Sequence, residues 1–331
     1  MNSVFVTGAT GVLGRPVLRL LHESGYKVRA LCRSDANRKL LERAGAMPVE
    51  ADLFDAESLA HTMDGCEAVL HLATRIPRVK DLKKPGIWHE NDRIRRDGMR
   101  AIGAAAAQTS VSTILYPSIS FFYGSSGDRW IDAANAEVKV TGPLQSTLDA
   151  EAEVASFATN SSGRRGVVLR FGAFYGPASS DSVQTLSLSR MGFAMPLAPA
   201  SAYRSMIWID DAASAVVKAL ERAPSGVFDV VEDRPATTAE TLSALAAAVG
   251  RNRLWPLPRW LLRLALPAVL RDVLARSQRI SNARFRDATG WQPAVPDPWQ
   301  GWARMATSDV ESPGAGRDAQ WLRDQNAGAG S

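Results

Sequence analysis

Eight residues near the amino terminus constrain the fold most: Thr7-Gly8-Ala9-Thr10-Gly11-Val12-Leu13-Gly14. An apolar run, Val4-Phe5-Val6, precedes them, and a helix-periodic segment with Val17, Leu18, Leu20 and Leu21 follows. The order is strand, glycine turn, helix. Glycines at this spacing permit a tight turn, close approach of the backbone to a pyrophosphate, and close packing of helix on strand. The helix N-terminus adds free N–H groups and the positive end of its dipole. A dinucleotide site is expected, held by Thr7, Gly8, Thr10, Gly11, Val12, Leu13 and Gly14.

Strand and helix signals then alternate. Residues 26–33, 47–53, 67–73 and 112–116 read as strands, and residues 56–63 and 88–108 as helices. Such alternation predicts an α/β fold, a Rossmann-type doubly wound parallel sheet with ligands beyond the carboxyl ends of its strands. An NAD-preferring fold places an acid at the end of its second strand. Here that strand ends in Arg33-Ser34, and Asp35 lies beyond it. A guanidinium suits a 2′-phosphate, so NADP(H) is expected ahead of NAD(H).

The net charge of +5 raises the question of nucleic acid. Its distribution argues against that partner. Residues 251–286 hold nine arginines and one acid, a local +8 that leaves −3 for the rest. The excess belongs to one segment and not to a stripe along the fold. Two cysteines, Cys32 and Cys66, make neither a disulfide framework nor a metal set, and the four histidines lack close Cys or His partners. No metal site is expected. The first strand begins at once after Met1, so a cytoplasmic protein without a leader is expected.

The chain resembles the extended short-chain dehydrogenase/reductase superfamily, the group of NAD-dependent epimerases and dehydratases. The glycine turn carries the resemblance, with Asp52-Leu53, His71-Leu72-Ala73, Phe122-Tyr123-Gly124 and Leu169 through Pro177. Arg204, Trp208-Ile209-Asp210-Asp211 and Gly290-Trp291-Gln292-Pro293 follow in the family's order. The resemblance implies that Asp52 and Leu53 frame the adenine, although Asp52 also suits a helix cap. It places Leu72, Ala73 and Thr74 beside the cofactor's ribose and phosphates. Tyr175 would lie near the nicotinamide.

The family's usual engine is Tyr-x-x-x-Lys on a helix, in which lysine lowers the tyrosine pKa and the phenol moves a proton. None of the five tyrosines here has a lysine four residues on. Counting back from Glu153, taken as the family's glutamate, puts Asp149 at the lysine position and Gln145 at the tyrosine position. The family's helical asparagine reads as Arg95, and its catalytic serine as Ile119, between Ser118 and Ser120. The candidate replacements are Asp149 as base or cation-binder, Ser118 and Ser120 as donors to a carbonyl oxygen, and Tyr123. His71 reads as a core residue.

Phe121, Phe122, Trp130, Met191, Phe193, Arg204 and Trp208 are expected to line the substrate cleft by the same resemblance. Apolar walls with few polar groups suit a hydrophobic small molecule. One unit is expected over residues 1–306. Its Rossmann core covers about 1–175, and a smaller C-terminal lobe covers about 178–208 and 232–300. Residues 307–331 read as a disordered tail. The segment from Trp255 to Arg276 reads as a lid, or as an interfacial helix that touches lipid; its arginines and Pro267 preclude a membrane span. Three functions fit. The first is an NADP(H)-dependent reductase with a rebuilt proton relay, acting on a carbonyl, enone or imine. The second is a cyclase, isomerase or lyase with a structural cofactor, and the third an NADP(H)-sensing module. A monomer or homodimer is expected.

Overall fold

The computed structural model describes residues 3–78, 81–258, 260–261 and 266–311. Its centre is a seven-stranded sheet. The first five strands in the chain are β1 (Ser3–Thr7), β2 (Lys27–Leu31), β3 (Met47–Val49), β4 (Ala68–His71) and β5 (Thr113–Ile119). Arg165–Phe171 and Gly226–Val230 complete the sheet. The spatial order is Gly226–Val230, Arg165–Phe171, β5, β4, β1, β2, β3, and every pair is parallel. The connections diverge on either side of β1, which opens a crevice at the carboxyl ends of β1 and β4. All four residues of β4 are buried, as a sheet covered on both faces requires.

Helices α1 (Gly14–Glu23), α2 (Asp35–Arg43), α3 (Ala56–Met63), α4 (His89–Ala107) and α5 (Gln145–Thr159) flank the sheet. Val17, Leu18 and Leu21 share one face of α1 and join the core that also holds Val4, Val6 and Leu70. The opposite sheet face packs Phe5, Val69 and Tyr116 on Met99, Ile102 and Val154 from α4 and α5.

A separate apolar cluster gathers Tyr175, Leu186, Ala194, Trp208, Leu254 and Trp302. The helix Pro298–Glu311 closes it. Gly301 lies so near Tyr175 that a Cβ there would stand 2.1 Å from the phenol oxygen.

Several expected boundaries move. β3 stops at Val49, so Asp52-Leu53 lies in the turn before α3. Asp52 Oδ1 accepts the Phe54 N–H at 2.9 Å, and Asp55 caps α3 instead. β5 runs on to Ile119, which puts Ser118 on a strand. The last helix continues to Glu311, five residues into the stretch read as a tail; residues 312–331 lie outside the described residues. The expected lid is in part a strand, Trp255–Pro256, paired with Phe193–Ala194, and in part the helix Ala268–Ala275. Arg259 and residues 262–265 of that segment lie outside the described residues. Among the described residues no helix is long and apolar enough to cross a membrane.

Candidate functional site

The glycine turn follows β1 at the crevice. Gly8 has φ of 70°, and a Cβ there would stand 2.5 Å from the Ala73 nitrogen. A Cβ on Gly14 would stand 2.2 Å from the Gly8 carbonyl oxygen. Gly11 N–H donates to that same oxygen at 3.0 Å and closes the turn. No side chain caps the N-terminus of α1, and Val12 stands exposed there. Backbone donors at a helix start that no side chain caps are what a pyrophosphate needs. The residues fit a dinucleotide.

A buried relay ties this turn to α4. His71 Nε2 lies 3.2 Å from the Ile94 carbonyl oxygen. A carbonyl only accepts, so Nε2 carries the proton and the Thr7 hydroxyl donates to Nδ1 at 2.7 Å. Ala73 N–H in turn donates to Thr7 Oγ1 at 3.4 Å. Burial pushes the His71 pKa down to about 4, so the imidazole is neutral near pH 7.

Arg33 is exposed just beyond β2, and Ser34 caps α2 by accepting the Asn37 N–H. Arg38 is paired with Glu50. Leu53 is half-buried and fills the space over Gly98. Leu72 is buried and Thr74 exposed.

The face of α5 turned toward β5 and α4 carries Thr147, Ala150, Glu151 and Val154, all buried. In the sheet Ser118 stands opposite Arg170. Glu151 joins them. It accepts the Ser118 hydroxyl at 2.5 Å and the Arg170 Nε and Nη2 at 3.0 and 2.6 Å. Arg170 Nη1 donates to the Tyr123 oxygen at 3.0 Å. The phenol donates to Asp229 Oδ1 at 2.8 Å, and Asp229 Oδ2 accepts the Ala133 N–H at 2.6 Å. Burial pushes the Asp229 carboxyl up to about 7, against the pull of Tyr123 and Arg170. Burial and the neighbouring Asp229 lift the Tyr123 phenol well above its ordinary range.

Arg95, on α4, reaches the same face from the other side. Its guanidinium is buried and donates to Thr147 Oγ1, while its Nε has no hydrogen-bond partner. It has no ion pair among the described residues, and its charge reaches both His71 and Tyr116. A buried cation without a carboxylate is the chief electrostatic feature of this face.

These contacts correct several expectations. Ser118 spends its one proton on Glu151, so it donates nothing to a carbonyl. Tyr123 and Phe122 are fully buried; the phenol is committed to Asp229, and Phe122 packs under the Arg170 guanidinium. Asp149 lies on the outward face of α5 and accepts from Gln145 at 2.9 Å. Glu153 pairs with Arg100 near the surface, whereas Glu151 is the buried glutamate. Counted from Glu151, the lysine position falls on Thr147 and the tyrosine position on Pro143. Tyr175 and Trp208 are core residues in edge contact; the Tyr175 hydroxyl lies 3.3 Å from Glu232, and Trp208 donates to Asp210. Neither presents a free face to a ligand.

Ser120 is buried at the end of β5, and Phe121 is half-buried beside it. Trp130 is exposed under the Arg279 guanidinium. Arg204 is half-buried with no ion pair among the described residues, and burial lowers its pKa. Met191 and Phe193 stand on an outer surface. Thr147, Glu151 and Arg170 went unnoticed in the sequence. The signal was the helical stripe of residues 147, 150, 151 and 154, which marks the packed face of α5. No cluster of three or more potential metal ligands occurs among the described residues.

Residues 4–230 match the family described as the NAD dependent epimerase/dehydratase family. A 3-diazoavenalumate denitrifying reductase from a Streptomyces species is 29% identical over 300 residues, covering 88% of this chain and 96% of that protein. A human epimerase family protein solved with NADPH superposes with a TM-score of 0.77 at 21% identity, covering 92% of this chain and 99% of that one. UDP-glucose 4-epimerase from Thermotoga maritima, solved with UDP-glucose, superposes with a TM-score of 0.75 at 19% identity, covering 94% and 99%.

Proposed function

The chain belongs to the NAD dependent epimerase/dehydratase family, and we propose that it is an NADP(H)-dependent reductase of an apolar small molecule that works without a tyrosine–lysine pair. One observation carries this reading. The backbone cradle at Gly8, Gly11 and Gly14 is intact, while Thr147 and Pro143 stand at the positions of the proton-moving pair counted from Glu151, and the buried Arg95 donates to Thr147.

When bound, the reduced nicotinamide supplies hydride. The protein's own part is binding, orientation and charge. The N–H groups at the start of α1 hold the pyrophosphate, and Arg33 holds the 2′-phosphate that separates NADP(H) from NAD(H). The Thr7–His71–Ile94 relay fixes the crevice wall with a neutral imidazole, so it adds no charge of its own. The Arg95 cation stabilises negative charge that develops on the substrate, and the buried Thr147 hydroxyl positions its guanidinium by accepting from it. The Glu151–Arg170 pair ties α5 to the strand Arg165–Phe171 behind them. Arg204 offers a second unpaired cation for a polar group of the substrate.

Substrates that need little proton donation suit this site: an iminium or enone, or a diazo compound such as the one named for the Streptomyces relative. The solved neighbour with NADPH supports the cofactor.

The test uses C4-deuterated NADPH with a panel of apolar ketones, enones, imines and aryl diazonium compounds. Deuterium in the product with matching loss of NADPH is the expected result. Substrate conversion without cofactor oxidation overturns the reading in favour of a lyase or isomerase, and tight NADPH binding with no turnover favours a sensor. Arg33→Ala is expected to weaken NADPH about tenfold and NADH less than about twofold, as loss of one charge-assisted phosphate contact would; isothermal titration with both cofactors checks it.

A further inference from the structure

One exposed surface takes no part in the reduction above. Phe193–Ala194 and Trp255–Pro256 pair as a short parallel ribbon, with Trp255 opposite Phe193. Ala194 and Leu254 point inward and join the cluster around Tyr175. The alternation puts Phe193, Met195 and Trp255 on the outward face, where all three are exposed. Met191, two residues before Phe193, is 64% exposed. A protein surface rarely gathers a tryptophan, a phenylalanine and two methionines without something to cover them.

The surrounding charge says what covers them. Two arginines, Arg251 and Arg253, are placed beside the ribbon by their contacts. Arg253 lies 3.7 Å from the centre of the Trp255 ring. Arg251 donates to the Arg190 carbonyl at 3.2 and 2.6 Å, which fixes that guanidinium at the ribbon's edge. Exposed apolar side chains with arginine beside them form an interfacial surface. Tryptophan and methionine enter the acyl boundary, and guanidinium groups meet phosphate headgroups. A protein partner would need an acidic face of matching shape, whereas an anionic bilayer supplies charge and apolar depth together. No described helix is long and apolar enough to cross a membrane, so the contact is peripheral.

We propose that the outward face of the Phe193/Trp255 ribbon docks this protein on a lipid bilayer that carries anionic phospholipids. The proposal stands apart from the reductase reading, because the ribbon packs its inward residues on the cluster around Tyr175 and not on the glycine turn's core. Docking would bring the protein to hydrophobic small molecules that partition into the bilayer.

The experiment is co-sedimentation of the full chain with vesicles of phosphatidylcholine alone, and of phosphatidylcholine with phosphatidylglycerol. Binding to the anionic vesicles is expected to be at least about tenfold tighter and to weaken with salt. The double substitution Phe193→Ser and Trp255→Ser is expected to reduce it about tenfold or more with the melting temperature unchanged, since both side chains already face water. Arg251→Gln with Arg253→Gln should remove most of the preference for anionic lipid. Absence of binding to anionic vesicles overturns the proposal, as does binding that the ribbon variant leaves intact. Concentration-dependent dimerisation that the ribbon variant abolishes, without vesicle binding, assigns the surface to a second copy of the chain and overturns it equally.

Discussion

Two regions meet at the carboxyl edge of the sheet. The turn Thr7–Gly14 is a site made of backbone, in which glycines matter for what they lack. The inner face of α5, the reacting face proposed above, is made of side chains, in which Thr147, Glu151, Arg170 and Arg95 matter for what they hold. The turn conforms to its family's pattern. The α5 face departs from it at both positions of the proton-moving pair. A backbone site binds one ligand class whatever the chemistry beside it, so it survives a change of reaction. A side-chain site is rewritten by a few substitutions.

The sharpest break in this comparison comes from Glu151→Gln. It leaves Arg170 charged and buried without its carboxylate partner, and about 3–5 kcal/mol of stability should be lost. Urea unfolding checks it; a loss below about 1 kcal/mol would mean that the pair is not buried as described.

The acid limb of stability comes next. His71 has its pKa lowered from 6.5 to about 4, so the unfolded chain binds a proton first as pH falls. Its contribution is full above about 6.5 and is lost progressively down to about 4, roughly 3 kcal/mol in all. Asp229 has the opposite sign. Its pKa is raised to about 7, so its contribution is present at low pH and is lost as pH rises from 3.8 to about 7. The difference between wild type and His71→Asn across pH 4 to 7 isolates the histidine; a flat difference would refute the neutral buried imidazole.

Gly14→Ala tests the backbone site. Its Cβ meets the Gly8 carbonyl, and NADPH affinity should fall by about 100-fold, near 2.7 kcal/mol. A fluorescence titration measures it, and undiminished affinity would show that the turn does not hold the cofactor. The smallest effect is expected at Asp149→Asn, within about 0.5 kcal/mol of stability and about twofold in turnover. A larger loss of turnover would restore Asp149 to the reaction.

The legibility of the two regions follows from what they are made of. Gly8, Gly11 and Gly14 announce themselves by spacing alone, and the parallel sheet followed from the alternation around them. α5 is legible as a helix, but its register is ambiguous between Glu153 and Glu151, the buried acid two places away. Asp149 and Glu151 are both acids on one helix. Only packing against β5 and α4 decides which of them turns inward. Tyr123, Tyr175 and Trp208 were misplaced for a related reason. Aromatic side chains read alike whether they line a cleft or fill a core, and their hydroxyl and indole partners, Asp229, Glu232 and Asp210, are settled by the fold.

The contact of Gly301 with Tyr175 has a consequence for the order of synthesis. The helix Pro298–Glu311 is the last described element to leave the ribosome, and it supplies the wall against Tyr175 and Trp302's place in the second cluster. The strands of the sheet are all made by Val230. A nascent chain can therefore complete its sheet and cofactor turn while the second cluster is still open on one side. A premature stop shortly before Pro298 would release a protein with a finished binding turn and an unclosed hydrophobic lobe, a form suited to capture by chaperones.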